Sequence, residues 1–257
     1  MKKYISWLCF LITLIALRTI YCVLFHKLGG TFTPYIIGIG FSLLFNIKKR
    51  VWRYIAIALS ILAVLLAQSW IALFCVGLTS LIILGIKRKL LAILLLVFLI
   101  SFSVFIVKIS PDYVGWGWSL GSLQNRIVFY TTTINNWNNI WLGEGFDKFK
   151  TLPRDVWKDN IRPNDSFYEG LWIHDAHSDL LQGFYELGIL KMIPILFIVL
   201  LPLFFVKLNT QLNLTVFISY LCVLFQGLID FPFHRWTTGL LSLTIILMAY
   251  YLIINEV

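Results

Sequence analysis

The chain has 257 residues, of which 60% are hydrophobic and 13% are charged, and its apolar residues form long runs. This composition is typical of an all-α integral membrane protein and excludes an ordinary soluble domain. A formal net charge of +9 would suit either nucleic acid or an anionic membrane surface. The basic residues favour the membrane and no nucleic acid, because they fall in short gaps between the apolar runs.

The apolar runs predict a polytopic helical bundle with about eight transmembrane helices and both termini in the cytoplasm. The first run follows Lys2 and Lys3 and is too long for a signal-peptide core, so we expect an uncleaved span. A tight hairpin at Gln68 and Ser69 is predicted to separate the third span from the fourth. The predicted spans cover residues 5–25, 33–47, 54–67, 70–86, 90–107, 187–206, 212–229 and 237–254.

This pattern divides the chain into three regions. Residues 1–109 hold spans one to five, residues 110–176 form one large external loop between spans five and six, and residues 177–257 hold spans six to eight. The four cysteines lie in apolar runs without metal-ligand spacing, which predicts packing roles for Cys9, Cys22, Cys75 and Cys222. By the positive-inside rule, the cytoplasmic side is marked by Lys2, Lys3, Lys48, Lys49, Arg50, Arg53, Lys87, Arg88, Lys89 and Lys207.

A helix is predicted where the polar loop joins the sixth span. Asp175 is its expected N-cap, and the apolar residues that follow recur at helical intervals from His177 toward Phe205. His177 would then lie in the first turn, where free N–H groups and the helix dipole suit an anion such as a phosphate. The helix is longer than a bilayer requires, so we expect its first turns to lie in the outer interface.

Helical geometry divides the start of this helix into two faces. Asp179, Gln182 and Glu186 share one face, and His177 lies on the other. A partner for His177 is therefore expected from a loop. Glu186 is expected to have a structural role, either in a pair with Lys191 or in a hydrogen bond within the bundle.

The same segment resembles the signature of the O-antigen ligase and O-antigen polymerase superfamily. In this chain it reads His177-Ser-x-x-Leu-Gln-x-x-x-Glu186-x-Gly188. Upstream, Asn125-Arg126, Trp137 and Trp141-Leu-Gly143-Glu-Gly145-Phe146 are similar to the start of the external loop in that family. A serine after His177, where the family usually has asparagine, and the small number of spans mark a short or divergent member.

The resemblance implies a glycosyltransferase on the external (periplasmic) face of the bacterial cytoplasmic membrane. It would move a glycan from an undecaprenyl-diphosphate carrier to a hydroxyl of a lipid or glycan acceptor, in the synthesis of O-antigen, lipopolysaccharide or capsule, without a metal or other cofactor. The residue types suit that chemistry. A sugar hydroxyl needs a base that titrates near neutrality, as histidine does, and the leaving diphosphate needs cations and N–H donors.

His177 is the candidate catalytic base, and its alternative role is that of an interfacial residue bonded to the loop. For Arg126 and Arg162 the structural alternative is an ion pair within the loop. For Arg18 it is a side chain that snorkels to the interface, and for Arg235 it is a solvated charge in a turn. The tryptophans of the external loop suit either an interfacial belt or stacking on sugar rings. The candidate substrate-binding residues are Arg126, Arg162, His174, Arg18 and Arg235.

Two other classes of function are open. A polysaccharide flippase or transporter would be expected to contain paired broken helices in two related halves. A non-catalytic membrane assembly protein would leave the histidines without a role. Ligase and polymerase are not separated by the sequence, because the shared motif concerns the glycan donor.

Overall fold

The computed structural model describes residues 2–26, 33–66, 69–87, 129–151, 178–229 and 236–255. Every regular element within these ranges is helical, and none of them contains a strand. The predicted all-α class is therefore confirmed for the described part of the chain.

The helices follow the predicted apolar runs closely. The N-terminal group comprises α1 (Lys2–His26), α2 (Thr33–Gly40), a 3-10 segment (Phe41–Asn46), α3 (Arg50–Leu66) and α4 (Trp70–Lys87). The C-terminal group comprises α5 (Asp179–Leu200), α6 (Pro202–Phe205), α7 (Gln211–Ile229) and α8 (Trp236–Ile254). Between the groups, residues 129–135 are helical and a 3-10 turn covers Lys148–Thr151. The predicted span at residues 90–107 lies outside the described residues.

Length and composition identify membrane-crossing candidates among these helices. Three stretches are long and apolar enough to cross a bilayer, namely Tyr4–Tyr21, Asp179–Phe205 and Gln211–Leu228. Shorter apolar helices cover Ile36–Asn46, Ile71–Ile83 and Thr238–Ile254. A membrane protein is thus supported at the level of its apolar helices.

One hydrophobic core joins α1 to α4 with α7 and α8. The 3-10 segment runs through this core, and its Phe41, Leu43 and Leu44 are fully buried, as is Tyr220 of α7. Polar contacts within the core hold the segment against α7. The Ser42 hydroxyl lies 2.5 Å from both the Thr215 carbonyl oxygen and the Ser219 hydroxyl. Such bonds fix two helices together where the surroundings offer no water.

Two of the predicted cytoplasmic turns lie at the same end of the bundle. Gln211 Nε2, at the start of α7, donates to the Phe45 carbonyl at 2.8 Å, and Arg53 of α3 donates to the same oxygen at 3.4 Å. The turns before α3 and before α7 are therefore neighbours. We call this end, which includes Lys48, Lys49 and Lys207, the lysine end.

The C-terminal end of α5 is held by two tyrosines. Pro202 has no N–H, so the Ile198 carbonyl lacks its usual helical donor four residues on. The Tyr250 hydroxyl donates to that carbonyl, and the Tyr220 hydroxyl donates to the carbonyl of Val199. Helices α7 and α8 thus each supply a hydroxyl donor to a carbonyl near the end of α5.

Candidate functional site

Helix α5 begins two residues later than the sequence predicted. Its N-cap is Ser178, which has extended backbone and accepts a hydrogen bond from Leu181 N at 3.2 Å. The prediction that Asp175 caps the helix is therefore wrong, and His177 precedes the cap instead of opening the first turn. Serine and aspartate cap about equally well, so the sequence alone did not distinguish the two positions.

Helix α5 is broken at Gly188. This residue has φ 76° and ψ 169°, a backbone conformation that is open essentially only to glycine. The break leaves carbonyls without donors at the end of the first half and N–H groups without acceptors at the start of the second half. In an apolar setting each of these groups needs a partner from elsewhere in the chain.

The partners come from residues 140–145, which we call the capping segment. Glu144 N donates to the Tyr185 carbonyl at 2.9 Å, and Gly145 N donates to the Glu186 carbonyl at 3.0 Å. On the other side of the break, Ile189 N donates to the Ile140 carbonyl at 3.0 Å, and Leu190 N donates to the Trp141 carbonyl at 3.2 Å. One segment therefore caps both halves of the broken helix.

Glycines allow the two backbones to approach this closely. Gly143 has φ 78° and Gly145 has φ 114°, backbone conformations that glycine adopts without steric cost. A Cβ on Gly143 would lie 2.3 Å from the Glu186 carbonyl oxygen. A Cβ on Gly188 would lie 2.4 Å from Gly143 N and 2.4 Å from the Trp141 carbonyl oxygen. These neighbours are backbone atoms, which cannot rotate away.

The capping segment is itself ordered by polar contacts. The Glu144 carboxylate accepts from Asn138 N at 2.6 Å and from Asn139 N at 2.7 Å. The side-chain oxygen of Asn139 accepts from Leu142 N at 3.2 Å, and the backbone carbonyl of Asn139 accepts from Gly143 N at 2.8 Å. A carboxylate held by two N–H groups is a strong, charge-assisted arrangement. It fixes the turn that presents the segment to α5.

Aromatic side chains hold the loop to the first half of α5 on both sides of the capping segment. Phe149 is fully buried and packs edge-to-face on Tyr185, with 5.9 Å between the ring centroids. The ring centroids of Trp137 and Phe184 lie 6.3 Å apart. Such pairs contribute roughly 0.5–1.5 kcal/mol each beyond the area they bury. The loop and the start of α5 therefore form one packed unit.

Two polar side chains predicted to share a face of α5 are in contact. Gln182 Nε2 donates to Glu186 Oε1 at 3.1 Å, and both side chains are buried. This confirms the expected hydrogen bond of Glu186 within the bundle. The Lys191 amine instead donates to the Leu142 carbonyl at 3.3 Å, so it also holds the capping segment.

Among the predicted site residues, Arg18 lies in the described part of the chain. It belongs to α1 and its side chain is exposed. The other candidates lie outside the described residues, and their roles stay predictions. These are His177, His174, Arg126, Arg162 and Arg235.

The described residues contain no group of three or more His, Cys, Asp or Glu side chains arranged to hold a metal. Cys9, Cys75 and Cys222 are free, buried thiols. Cys222 donates weakly to the Cys75 carbonyl across the contact between α4 and α7, at 3.9 Å. Their burial agrees with the packing roles expected from the sequence.

Both halves of the capped break lie in motifs that are visible in the sequence, but their contact is not. Gly143, Gly145, Glu186 and Gly188 were recognised as parts of two separate motifs. The signal that could have joined them is the pair of glycines at Gly143 and Gly188, since each permits a close backbone approach. No family model, curated protein or solved structure matches the chain.

Proposed function

We propose that this protein is an integral membrane glycosyltransferase that moves a glycan from an undecaprenyl-diphosphate carrier to an acceptor hydroxyl, as an O-antigen ligase or polymerase does. The observation that carries the proposal is the contact between the two motif pieces. The resemblance singled out residues 141–146 and 177–188, and two backbone hydrogen bonds join these pieces, from Glu144 N to the Tyr185 carbonyl and from Gly145 N to the Glu186 carbonyl. A shared signature whose parts form one unit is better explained by a common site than by chance similarity.

In this proposal the packed unit positions the residues just before α5. Ser178 is the N-cap, so the chain that enters the cap carries His174 and His177. His177 takes the proton from the acceptor hydroxyl as that oxygen attacks the anomeric carbon of the donor sugar. The lipid diphosphate leaves with the bonding electrons, and Arg126, Arg162, Arg18 and Arg235 supply the cations that stabilise it.

The proposal includes a particular membrane arrangement. The chain has about eight spans, its lysine end faces the cytoplasm, and residues 110–176 form the external loop that meets the donor. The site then lies on the periplasmic face of the inner membrane. This arrangement is supported by the shared end of the turns before α3 and α7, which both carry lysines.

A transporter is the main rival, because broken helices are a common feature of transporter binding sites. In those sites the free ends of the half-helices face the substrate or ion. Here the carbonyls of Tyr185 and Glu186 and the N–H groups of Ile189 and Leu190 are bonded to the capping segment. The break in α5 is therefore built as a structural joint, which favours the glycosyltransferase over a transporter that binds its substrate there.

The test is glycan transfer in membranes, measured per folded molecule, with an undecaprenyl-diphosphate-linked glycan as donor. We expect His177→Ala to lose transfer by about 10²- to 10⁴-fold at normal abundance, as the loss of a general base does. His174→Ala is the matched control and should have a milder effect. Parental transfer by His177→Ala would exclude it as the base.

The arginines need a separate test. Arg126→Lys should lose more activity than its retained charge suggests, because a bidentate diphosphate contact requires the planar guanidinium group. Full activity of Arg126→Ala would remove this residue from the site. In a strain that lacks the gene, polymer retained on the carrier would indicate a ligase, and single repeats on the surface lipid would indicate a polymerase.

A further inference from the structure

The capping segment and the residue after it carry a group of exposed apolar side chains. Trp141 is 62% exposed, Leu142 is 53% exposed and Phe146 is 84% exposed. Ile140 adds to the same patch at 47%. Large apolar side chains grouped in this way are unfavourable in water, at roughly 25 cal/mol for each Å² left uncovered. The patch therefore requires an apolar partner.

The identity of that partner follows from the continuity of the patch with α5. The bond from Leu190 N to the Trp141 carbonyl brings the patch next to the second half of the helix. There Leu190 and Ile193 are 55% and 56% exposed, and both belong to the membrane-crossing candidate Asp179–Phe205. Lipid that covers these two side chains would therefore lie beside the backbone of Trp141.

The length of this candidate span locates the membrane surface. Its 27 residues would extend roughly 40 Å at about 1.5 Å per residue, whereas a hydrocarbon core is about 30 Å thick. The first half contains Asp179, Gln182 and Glu186, whereas no charged residue lies between Lys191 and Lys207. That uncharged stretch of 15 residues would rise about 22 Å, and residues 189–206, counted from the break, would rise about 27 Å, which is close to the hydrocarbon thickness.

We propose that the membrane surface crosses the protein at the break in α5, and that Trp141, Leu142 and Phe146 insert into the boundary between lipid headgroups and acyl chains. Tryptophan favours this depth because its ring is apolar and its N–H is polar. Lys191, held by the Leu142 carbonyl, then lies among the headgroups. The first half of α5 and the loop packed on it stand above the bilayer. This inference does not depend on glycan transfer and would hold equally for a transporter.

Spin labels on the full chain can test the depth of the patch. The variants Leu142→Cys and Phe146→Cys are labelled in vesicles of phosphatidylethanolamine and phosphatidylglycerol, with the labelled parent chain as the background. Collision with oxygen, which concentrates in lipid, is compared with collision with a water-soluble nickel chelate. Ile193→Cys is the lipid control, and Asn138→Cys, at an exposed polar residue, is the water control.

We expect the labels at residues 142 and 146 to favour oxygen over the nickel chelate, as at residue 193, with the reverse at residue 138. Water-like accessibility at 142 and 146 would overturn the inference and point to a protein or glycan cover instead.

A second measurement avoids cysteine variants. The emission of Trp141 is obtained by subtracting the tryptophan fluorescence of Trp141→Phe from that of the parent chain. This difference signal should be quenched by brominated lipids. A difference signal quenched by iodide but not by brominated lipid would also refute the proposed insertion.

Discussion

Gly143 and Gly188 meet backbone to backbone. A Cβ added to Gly143 would lie 2.5 Å from Gly188 N, and a Cβ added to Gly188 would lie 2.4 Å from Gly143 N. Both residues have positive φ, at 78° and 76°. A turn in the loop and a break in α5 are therefore mutually dependent, because neither residue can be replaced without moving the other backbone.

Gly188→Ala should strongly reduce the amount of folded protein. The backbone conformation alone costs a non-glycine residue about 1–3 kcal/mol, and the contact with Gly143 N and the Trp141 carbonyl adds to that cost. The matched control is Gly227→Ala in α7, where nothing lies within 4 Å of the added Cβ. Thermal unfolding in detergent, followed by size-exclusion chromatography, measures both variants. Equal midpoints for the two would contradict the close approach.

Glu186→Ala should lower stability without removing a catalytic group. Glu186 is 6% exposed and accepts from Gln182 Nε2 at 3.1 Å, so the variant loses a buried bond and leaves space in the packed unit. A cost of about 1–3 kcal/mol is expected for a buried group that loses its partner. Glu186→Gln retains an oxygen acceptor and should be milder. Glu186→Gln that folds normally but transfers no glycan would make this residue part of the site.

Tyr250→Phe should destabilise the end of α5 by about 1 kcal/mol, the usual net value of one hydrogen bond. Its hydroxyl donates to the Ile198 carbonyl, which lacks an N–H donor four residues on because of Pro202 and also accepts from Leu201 N at 3.2 Å. Tyr251→Phe, which changes an exposed hydroxyl on the same helix, serves as the control. The effect of Tyr250→Phe should shrink in a Pro202→Ala background, where an N–H is restored. A double-mutant cycle in unfolding free energy measures this coupling, and strict additivity would contradict it.

Reporter fusions at residues 49 and 208 should both indicate the cytoplasm, and a fusion at residue 155 should indicate the outside. The bonds of Gln211 and Arg53 to the Phe45 carbonyl bring the first two sites to one end of the bundle. The lysines at that end favour the cytoplasmic side. Opposite results at 49 and 208 would contradict the shared end, whereas an external result at both would reverse only the orientation.

The sequence by itself determined where the described helices lie. Apolar runs, basic gaps and the Gln68-Ser69 turn predicted α1, α3, α4, α7 and α8 to within a few residues, because a membrane helix must be continuously apolar over a fixed length. The shared face of Gln182 and Glu186 was also predictable, since it depends only on helical periodicity. Each of these features is local in the chain.

Only the tertiary structure decided how the start of α5 is built. Asp175 and Ser178 are both good N-caps, and the fold uses Ser178. A glycine such as Gly188 inside an apolar run is equally compatible with an unbroken helix, so the local pattern does not distinguish the two. The break is stable because residues 140–145, distant in sequence, supply the donors and acceptors that it lacks. Satisfaction of backbone polar groups across such a distance depends on chain packing, which local patterns do not contain.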